Sequence, residues 1–485
     1  MEHFDLFVIG TGPAGQRAAI QAAKLGKKVG MCDRRELVGG VCINTGTIPS
    51  KTFREAVLYL TGLRQRAIYG RSYTVKEEIT MEDLLFRCQH VIGREVEVIR
   101  DQVSRNGITL LGGMASFVDS HTLIIKGQEG KTEIGADHLV IATGTAPSQP
   151  EEVDVDQETV ITSDMIMSIK RIPQTMTVVG AGVIGTEYAS IFAALGVEVT
   201  LIDREEHLLD FVDVEIMESL KYQMRDMDCT FRLGEEVASV KIEKPGRAVA
   251  TLKSGKKIIS ELLLYSIGRV GATRALNLEA AGLTADNRGR LKVDERYQTE
   301  QPHIFAAGDV IGFPALASTS MEQGRIAACN IFGAPAISMP DLFPYGIFSV
   351  PEISMVGKSE GELTEAGVAY EVGLARYREI ARGVMVGDDS GLLKLLFHRE
   401  TRQILGVHII GTSATELIHI GQAVIALGGT IDYFVNTVFN YPTFAECYKV
   451  AALDGYNKVG PAEGEVPPPG SGLTGRRPEI PNSKS

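Results

Sequence analysis

The chain has 485 residues, of which 44% are hydrophobic and 23% charged, with a net charge of −12. That length accommodates three domains with separate cores, and the composition is that of a globular protein. The negative balance excludes general binding to nucleic acid or to an anionic membrane, both of which need an excess of Lys and Arg. The six cysteines (Cys32, Cys42, Cys88, Cys229, Cys329, Cys447) contain no C-x-x-C pair, which points to a reducing compartment rather than a disulfide framework. The N-terminal apolar run Phe7 to Ile9 ends at once in glycines without a basic region before it, and no apolar run reaches the ~18 residues of a membrane span. A cytoplasmic protein without membrane partners is expected.

Phe4 to Ile9 reads as a strand that runs into Gly10-Thr11-Gly12-Pro13-Ala14-Gly15, with a helix over Arg17 to Leu25 and a second strand, Lys28 to Cys32, ending at Asp33. The acid follows the first glycine by 33 − 10 = 23 residues. Glycines at this spacing allow a tight turn and the close approach of a pyrophosphate to a helix N-terminus, while the carboxylate accepts hydrogen bonds from a ribose. Gly39-Gly40-Val41-Cys42-Ile43-Asn44-Thr45-Gly46-Thr47-Ile48-Pro49-Ser50-Lys51 comes next. Residues 52–110 are predicted helical and amphipathic, with Leu58, Leu84, Leu85, Val91, Ile92 and Ile99 as core positions. Strands are predicted at Ser116 to Val118 and Leu123 to Lys126, followed by the apolar run His138 to Ala142 and Thr143-Gly144.

The opening pattern then repeats. Strand Thr175 to Val179 leads into Gly180-Ala181-Gly182-Val183-Ile184-Gly185, helix Thr186 to Leu195 and strand Glu198 to Ile202, with Asp203 again 203 − 180 = 23 residues from the first glycine. Leu262 to Gly268 is an apolar strand ending in Gly268-Arg269, and Ile304 to Ala307 ends in Gly308-Asp309. A helix beginning near Ala317 would aim its positive N-terminus at a bound anion. From about Tyr345 the chain turns strand-rich (Ile347 to Val350, Gly391 to Phe397, Ile404 to Ile410), with helices at Thr415 to Ala426 and from about Phe444. The stretch from Pro461, with Pro467-Pro468-Pro469-Gly470-Ser471-Gly472, has almost no large apolar residue and is expected to be disordered.

Taken together, the Gly39 to Lys51 stretch, the two glycine loops and Gly308-Asp309 resemble the FAD-dependent pyridine nucleotide-disulfide oxidoreductases, over roughly residues 4–458. The resemblance implies an α/β fold with two Rossmann-like dinucleotide-binding domains, one for FAD (1–145 and 275–343) and one for NAD(P) (146–274). A C-terminal α+β dimerisation domain (344–458) and the tail 459–485 complete the chain, which is then expected to form a homodimer or higher homo-oligomer. It further implies FAD contacts from Gly10, Gly12, Pro13, Ala14, Gly15, Asp33, Gly40, Cys42, Thr47, Lys51, Thr143, Gly144, Gly308, Asp309 and Ala317. Gly180, Gly182, Val183, Ile184, Gly185, Glu187, Asp203, Arg204, Gly268 and Arg269 are the implied nicotinamide-nucleotide residues, and no metal is implied.

Two positions depart from the family pattern. In G-G-x-C-x-x-x-x-C-x-P-S-K the second cysteine is replaced by Thr47, whose hydroxyl cannot form a disulfide with Cys42. In H-P-T-x-x-E the histidine is replaced by Tyr441, a phenol of ordinary pKa ~10 and a poor base near neutrality, although Glu446 is kept. The catalytic residues implied are therefore Lys51 and Glu187, an ion pair beside flavin N5, with Tyr441 and Glu446 at the altered motif. Cys42 reads as a retained packing residue, and His303 and His419 as structural. The parts that remain support hydride transfer from NADPH to flavin and on to NAD⁺ in ping-pong fashion. Asn440-Tyr441-Pro442-Thr443-Phe444-Ala445-Glu446 resembles the branch of the family that performs this transhydrogenation, with NAD and NADP as substrates. Asp203 favours NAD and Arg204 favours the 2′-phosphate of NADP. The alternatives are an NADH-specific diaphorase or oxidase and a non-catalytic flavoprotein binding module.

Overall fold

The computed structural model describes residues 1–34, 38–128, 130–336, 339 and 342–460. The disorder expected of the tail from 461 lies outside these residues. The strand Glu2–Ile9 sits at the centre of the first sheet, parallel to Val29–Asp33 on one side and to Gly130–Ile141 on the other. Leu6, Phe7 and Val8 are fully buried, as expected of an unbroken apolar run in a parallel strand covered on both faces. The chain leaves this sheet, builds a second one, and returns to it when Ile304–Ala306 pairs in parallel with Leu139–Ile141. The helix Pro13–Lys24 buries Ala14, Ala18, Ala19 and Ala22, small side chains that let the helix Ala317–Ile331 approach closely. At the crossing a Cβ on Gly324 would lie 2.0 Å from the Ala14 carbonyl oxygen, so only glycine fits.

The second sheet is wholly parallel, ordered Cys229–Leu233, Glu198–Asp203, Thr175–Val179, Leu262–Tyr265 and Val160–Thr162. Beside it lies a three-stranded antiparallel layer, Val237–Lys244, Arg247–Leu252 and Lys257–Ser260. The two crossings between the first and second sheets, Thr145–Pro147 and Arg269–Gly271, pair with each other antiparallel. The C-terminal sheet is antiparallel throughout, Tyr345–Ile347, Ile353–Gly357, Ile404–Ile410, Leu392–His398 and Tyr370–Arg376, with the helices Ala414–Ala426 and Glu446–Val459 packed against it. Lys394, 1% exposed, fixes this sheet to the second unit: its ammonium reaches Asp213 at 2.9 Å and Glu215 at 3.2 Å, and also Glu360. Charge pairing of this kind is what makes a buried lysine tolerable.

Two expectations need correction. The region 52–110 is not continuously helical. A helix Thr47–Leu60 and a helix Met81–Arg105 are separated by Gly62 and Gly70, at φ 62° and 97°, and the second helix starts in a capping box made by Thr80 and Asp83. The strand expected at Ile347 to Val350 lies instead at Tyr345–Ile347, because residues 348–350 bond to side chains and not to a neighbouring strand. The helix Val214–Asp226 and the antiparallel layer 237–260 were not foreseen. Among the described residues no helix is long and apolar enough to cross a membrane.

Candidate active site

A cavity of about 820 Å³ opens where the three sheets meet, lined by residues of all three units. The glycine loops shape it. A Cβ on Gly10 would lie 2.3 Å from the Ala142 carbonyl oxygen and one on Gly15 1.9 Å from that of Gly10, so both serve the tight turn. A Cβ on Gly12 would meet nothing within 4 Å, because this face of the turn is open. The second loop repeats the arrangement, with Gly185 1.8 Å from the Gly180 oxygen and open space at Gly182.

The helices Pro13–Lys24, Val183–Ala194 and Ala317–Ile331 all begin at this cavity, and none has a side-chain cap or an acidic residue in its first turn. Uncapped helix starts leave N–H groups and a partial positive charge for an anion. Asn44 Oδ1, Thr45 Oγ1 and Thr143 Oγ1 are buried in the lining without a protein partner. Orphaned polar atoms beside three uncapped helix starts are what a bound dinucleotide with a polar ring edge would satisfy, so the residues fit FAD. Thr11 joins the loop to the stretch that follows: its hydroxyl donates to Asp33 Oδ2 at 2.5 Å and accepts from Gly39 N–H at 3.0 Å.

Lys51 and Glu187 meet across the cavity. Lys51 Nζ lies 2.9 and 2.7 Å from the two Glu187 oxygens, with the side chains 25% and 5% exposed. Two further contacts register the helices that carry them: Phe53 against Phe192 at 5.8 Å, and Phe348, whose N–H donates to Glu187 Oε1 at 2.9 Å while its ring lies 4.9 Å from Lys51 Nζ. Burial pushes the Tyr188 phenol well above its ordinary range, with the Glu187 charge adding to it.

Gly40, Cys42 and Thr47 also line the cavity. Burial raises the Cys42 thiol above its ordinary value, and a hydrogen bond with Thr47 and the Lys51 charge only partly offset this. Gly308, Asp309 and Ala317 are in the lining too. The Asp309 carboxyl is pushed up by burial against the pull of Arg269. Arg269 braces the crossing between units through Asp164 Oδ1 at 2.9 Å and Thr145 Oγ1 at 2.8 Å. At the far end of the second loop both Asp203 oxygens accept backbone N–H groups, from Ala181 at 2.5 Å and Glu205 at 2.9 Å, while exposed Arg204 bonds Glu205 at 2.9 Å.

Tyr441 and Glu446 are not in this cavity. Tyr441 is 71% exposed, and Glu446 begins the last helix with Oε2 buried and unpartnered. The sequence reading missed Phe348, Tyr345, Ser50 and Tyr188, which also line the cavity. Ser50 and Tyr188 each adjoin a motif residue and were within reach. Phe348 contributes a backbone N–H, which leaves no side-chain signature, and a ring that meets Lys51 only through contacts far apart in sequence.

Two glycine-loop units facing one cavity, with a lysine–glutamate pair between them, define a flavin and nicotinamide oxidoreductase scaffold. The chain belongs to the pyridine nucleotide-disulphide oxidoreductase family, which residues 4–324 match, with residues 343–452 matching the family's dimerisation domain. The family is FAD-dependent. Within it the chain is 55% identical over 461 residues to the soluble pyridine nucleotide transhydrogenase of Mycobacterium bovis, covering 95% of this chain and 98% of the relative. It is 46% identical to that of Colwellia psychrerythraea, covering 94% and 98%. Among solved structures it is similar to the HOCl-induced flavoprotein disulfide reductase RclA of Escherichia coli in its Cu(II) complex, at TM-score 0.85 and 25% identity over 93% of this chain and 99% of that one. LpdA of Mycobacterium tuberculosis is similar at TM-score 0.85 and 26% identity, with the same coverage.

Proposed function

We propose that this chain transfers hydride from NADPH to NAD⁺ by way of FAD, each nucleotide using the same pocket in turn. The observation that carries this reading is the Lys51–Glu187 pair in a cavity where Thr47, not a cysteine, holds the motif position that follows Cys42. The transhydrogenases to which the chain is 55% and 46% identical support it.

FAD supplies a two-electron carrier whose ring accepts and returns hydride. The flavin unit is 1–145 with 275–343, and the nucleotide unit is 146–274. The loop Gly10, Gly12, Pro13, Ala14 and Gly15 receives the pyrophosphate and Asp33 a ribose. Gly40, Cys42, Thr47, Thr143, Gly144, Gly308, Asp309 and Ala317 hold the rest of the cofactor. Lys51 places a cation where electron density accumulates, and Glu187 fixes its direction. Gly180, Gly182, Val183, Ile184 and Gly185 receive the nicotinamide nucleotide, with Gly268 and Arg269 at the crossing beside it. Dual specificity follows from the state of the two residues at the ribose end. The Asp203 carboxylate is already engaged by two backbone donors, and among the described residues Arg204 is held only by an exposed pair with Glu205, which it can exchange for a 2′-phosphate. Tyr441 and Glu446 act across a homodimer contact, and the protein works in the cytoplasm.

The test is anaerobic stopped-flow reduction of the flavin by NADPH and by NADH, each followed by mixing with the opposite oxidised nucleotide. Fast bleaching by both and fast recovery of colour are expected. Arg204→Ala is expected to weaken NADPH by about 1.5–3 kcal/mol, the range for a charged hydrogen bond, and to leave NADH unchanged. Bleaching by NADH alone would turn the assignment to an NADH-specific diaphorase.

A further inference from the structure

Beyond the strand Tyr345–Ile347 the chain passes between the two helices that carry Lys51 and Glu187, and three successive residues are each held by one of those helices. Phe348 N–H donates to Glu187 Oε1 at 2.9 Å, Arg54 Nε donates to the Ser349 carbonyl oxygen at 2.8 Å, and Val350 N–H donates to Ser190 Oγ at 3.0 Å. Arg54 stands one helical turn after Lys51 and is 3% exposed. Its Nη1 reaches Glu55 at 2.7 Å and Glu352 at 3.3 Å, and Glu352 is itself 6% exposed.

Burying a guanidinium and a carboxylate costs desolvation that an apolar pair of the same size would not, so the pair is weak evidence for stability alone. An arginine supplies what a leucine cannot, a planar fork with a fixed direction. Here the fork sets the position of the Ser349 carbonyl, and hence of the residue before it. Phe348 touches both members of the ion pair, with its N–H on Glu187 Oε1 and its ring 4.9 Å from Lys51 Nζ. Oε1 takes one bond from Lys51 and one from Phe348, both 2.9 Å, so losing the second frees the carboxylate to turn and takes the ammonium with it.

We infer that Arg54 is a positioning residue for hydride transfer, acting through Ser349 and Phe348 to hold the Glu187 carboxylate and thereby Lys51. This rests on the reading of Lys51 and Glu187 as the hydride-site pair. Arg54 touches neither of them and does not line the cavity.

Arg54→Lys keeps the charge and loses the fork. The double variant Arg54→Met/Glu352→Gln removes the buried pair together and leaves no uncompensated charge, which protects folding. Each holoenzyme is compared with the parent by flavin content, by hydrogen exchange at the Phe348 and Val350 amides, and by anaerobic flavin reduction with NADPH. Faster exchange at Phe348 is expected in both variants. The limiting reduction rate should fall by about tenfold or more while the apparent affinity for NADPH changes by less than about threefold, the split that loss of alignment produces. Faster exchange with an unchanged limiting rate in both variants would make Arg54 a structural residue and overturn the inference. Glu187→Gln separates the two levels. If it slows reduction and the Arg54 variants do not, only this inference fails; if it leaves reduction unchanged, the hydride-site reading fails and this inference with it.

Discussion

Cys42 is the residue where the retained scaffold and the altered chemistry come closest. Its thiol lines the cavity that also holds Thr47 and Lys51, and burial holds its pKa above the ordinary 9.0 despite the Lys51 charge. A group whose pKa is raised carries its proton at neutral pH, and the thiolate is the nucleophile. Alkylation of Cys42 by iodoacetamide is therefore expected to be slow at pH 7 and to accelerate by about tenfold per pH unit up to pH 9, since the thiolate fraction grows in that proportion below the pKa. Cys42→Ser should leave transhydrogenation within about threefold of the parent, the change expected when a positioned acid–base or nucleophilic role is absent. Rapid alkylation at pH 7 with loss of turnover would give the thiol a part in the reaction. The absence of a dithiol could be read from the sequence because it depends on residue identity alone. The shift in the remaining thiol could not, because it depends on burial.

At the scale of elements, the glycine loops were legible because their requirements are local. Gly10 and Gly180 adopt φ of 110° and 103°, and the acids that close each unit fall at fixed spacing. What the sequence hid is how the helices Thr47–Leu60 and Val183–Ala194 find their register, since their contacts pair residues 136 or more positions apart. Phe53 is fully buried against Phe192 between them. Phe53→Ala is expected to cost about 3–5 kcal/mol of stability, the usual range for a buried aromatic. The cavity it opens lies two residues from Lys51, so the limiting rate of flavin reduction should fall as well, whereas Phe53→Leu should recover most of both. Thermal unfolding and stopped-flow reduction of the two variants check this. A lowered melting temperature with an unchanged rate would mean that the Lys51–Glu187 contact sets its own geometry without the aromatic pair. The break at 61–80 was hidden for a different reason. Apolar residues on both sides keep a helical spacing, and only the left-handed Gly62 and Gly70 reveal that the chain turns.

For the whole molecule, the question is why Glu446 is present although it does not reach the cavity of its own chain. The stretch around it exposes large apolar side chains, Leu427 at 87%, Tyr433 at 50%, Val438 at 90% and Tyr441 at 71%. Clustered apolar exposure marks a contact surface, and this stretch falls within residues 343–452 that match a dimerisation domain. The match to a dimerisation domain predicts that a second copy of the chain covers this surface. Burying each such side chain is worth about 1.5–3 kcal/mol. Leu427→Glu with Val438→Asp should accordingly raise the dimer dissociation constant by roughly a hundredfold or more. Sedimentation velocity at micromolar concentration is expected to show the parent as a homodimer or larger and the double variant shifted to monomer. The monomer should keep its flavin, because both glycine loops and the three helix starts at the cavity come from one chain, but lose turnover if Tyr441 and Glu446 serve the other subunit's site. A variant that is monomeric and fully active would confine the reaction to the Lys51–Glu187 pair and reduce the altered motif to an interface element. A variant that remains dimeric would place the contact on another face. Activity measured against the fraction of dimer therefore decides both the quaternary arrangement and the part played by Tyr441 and Glu446.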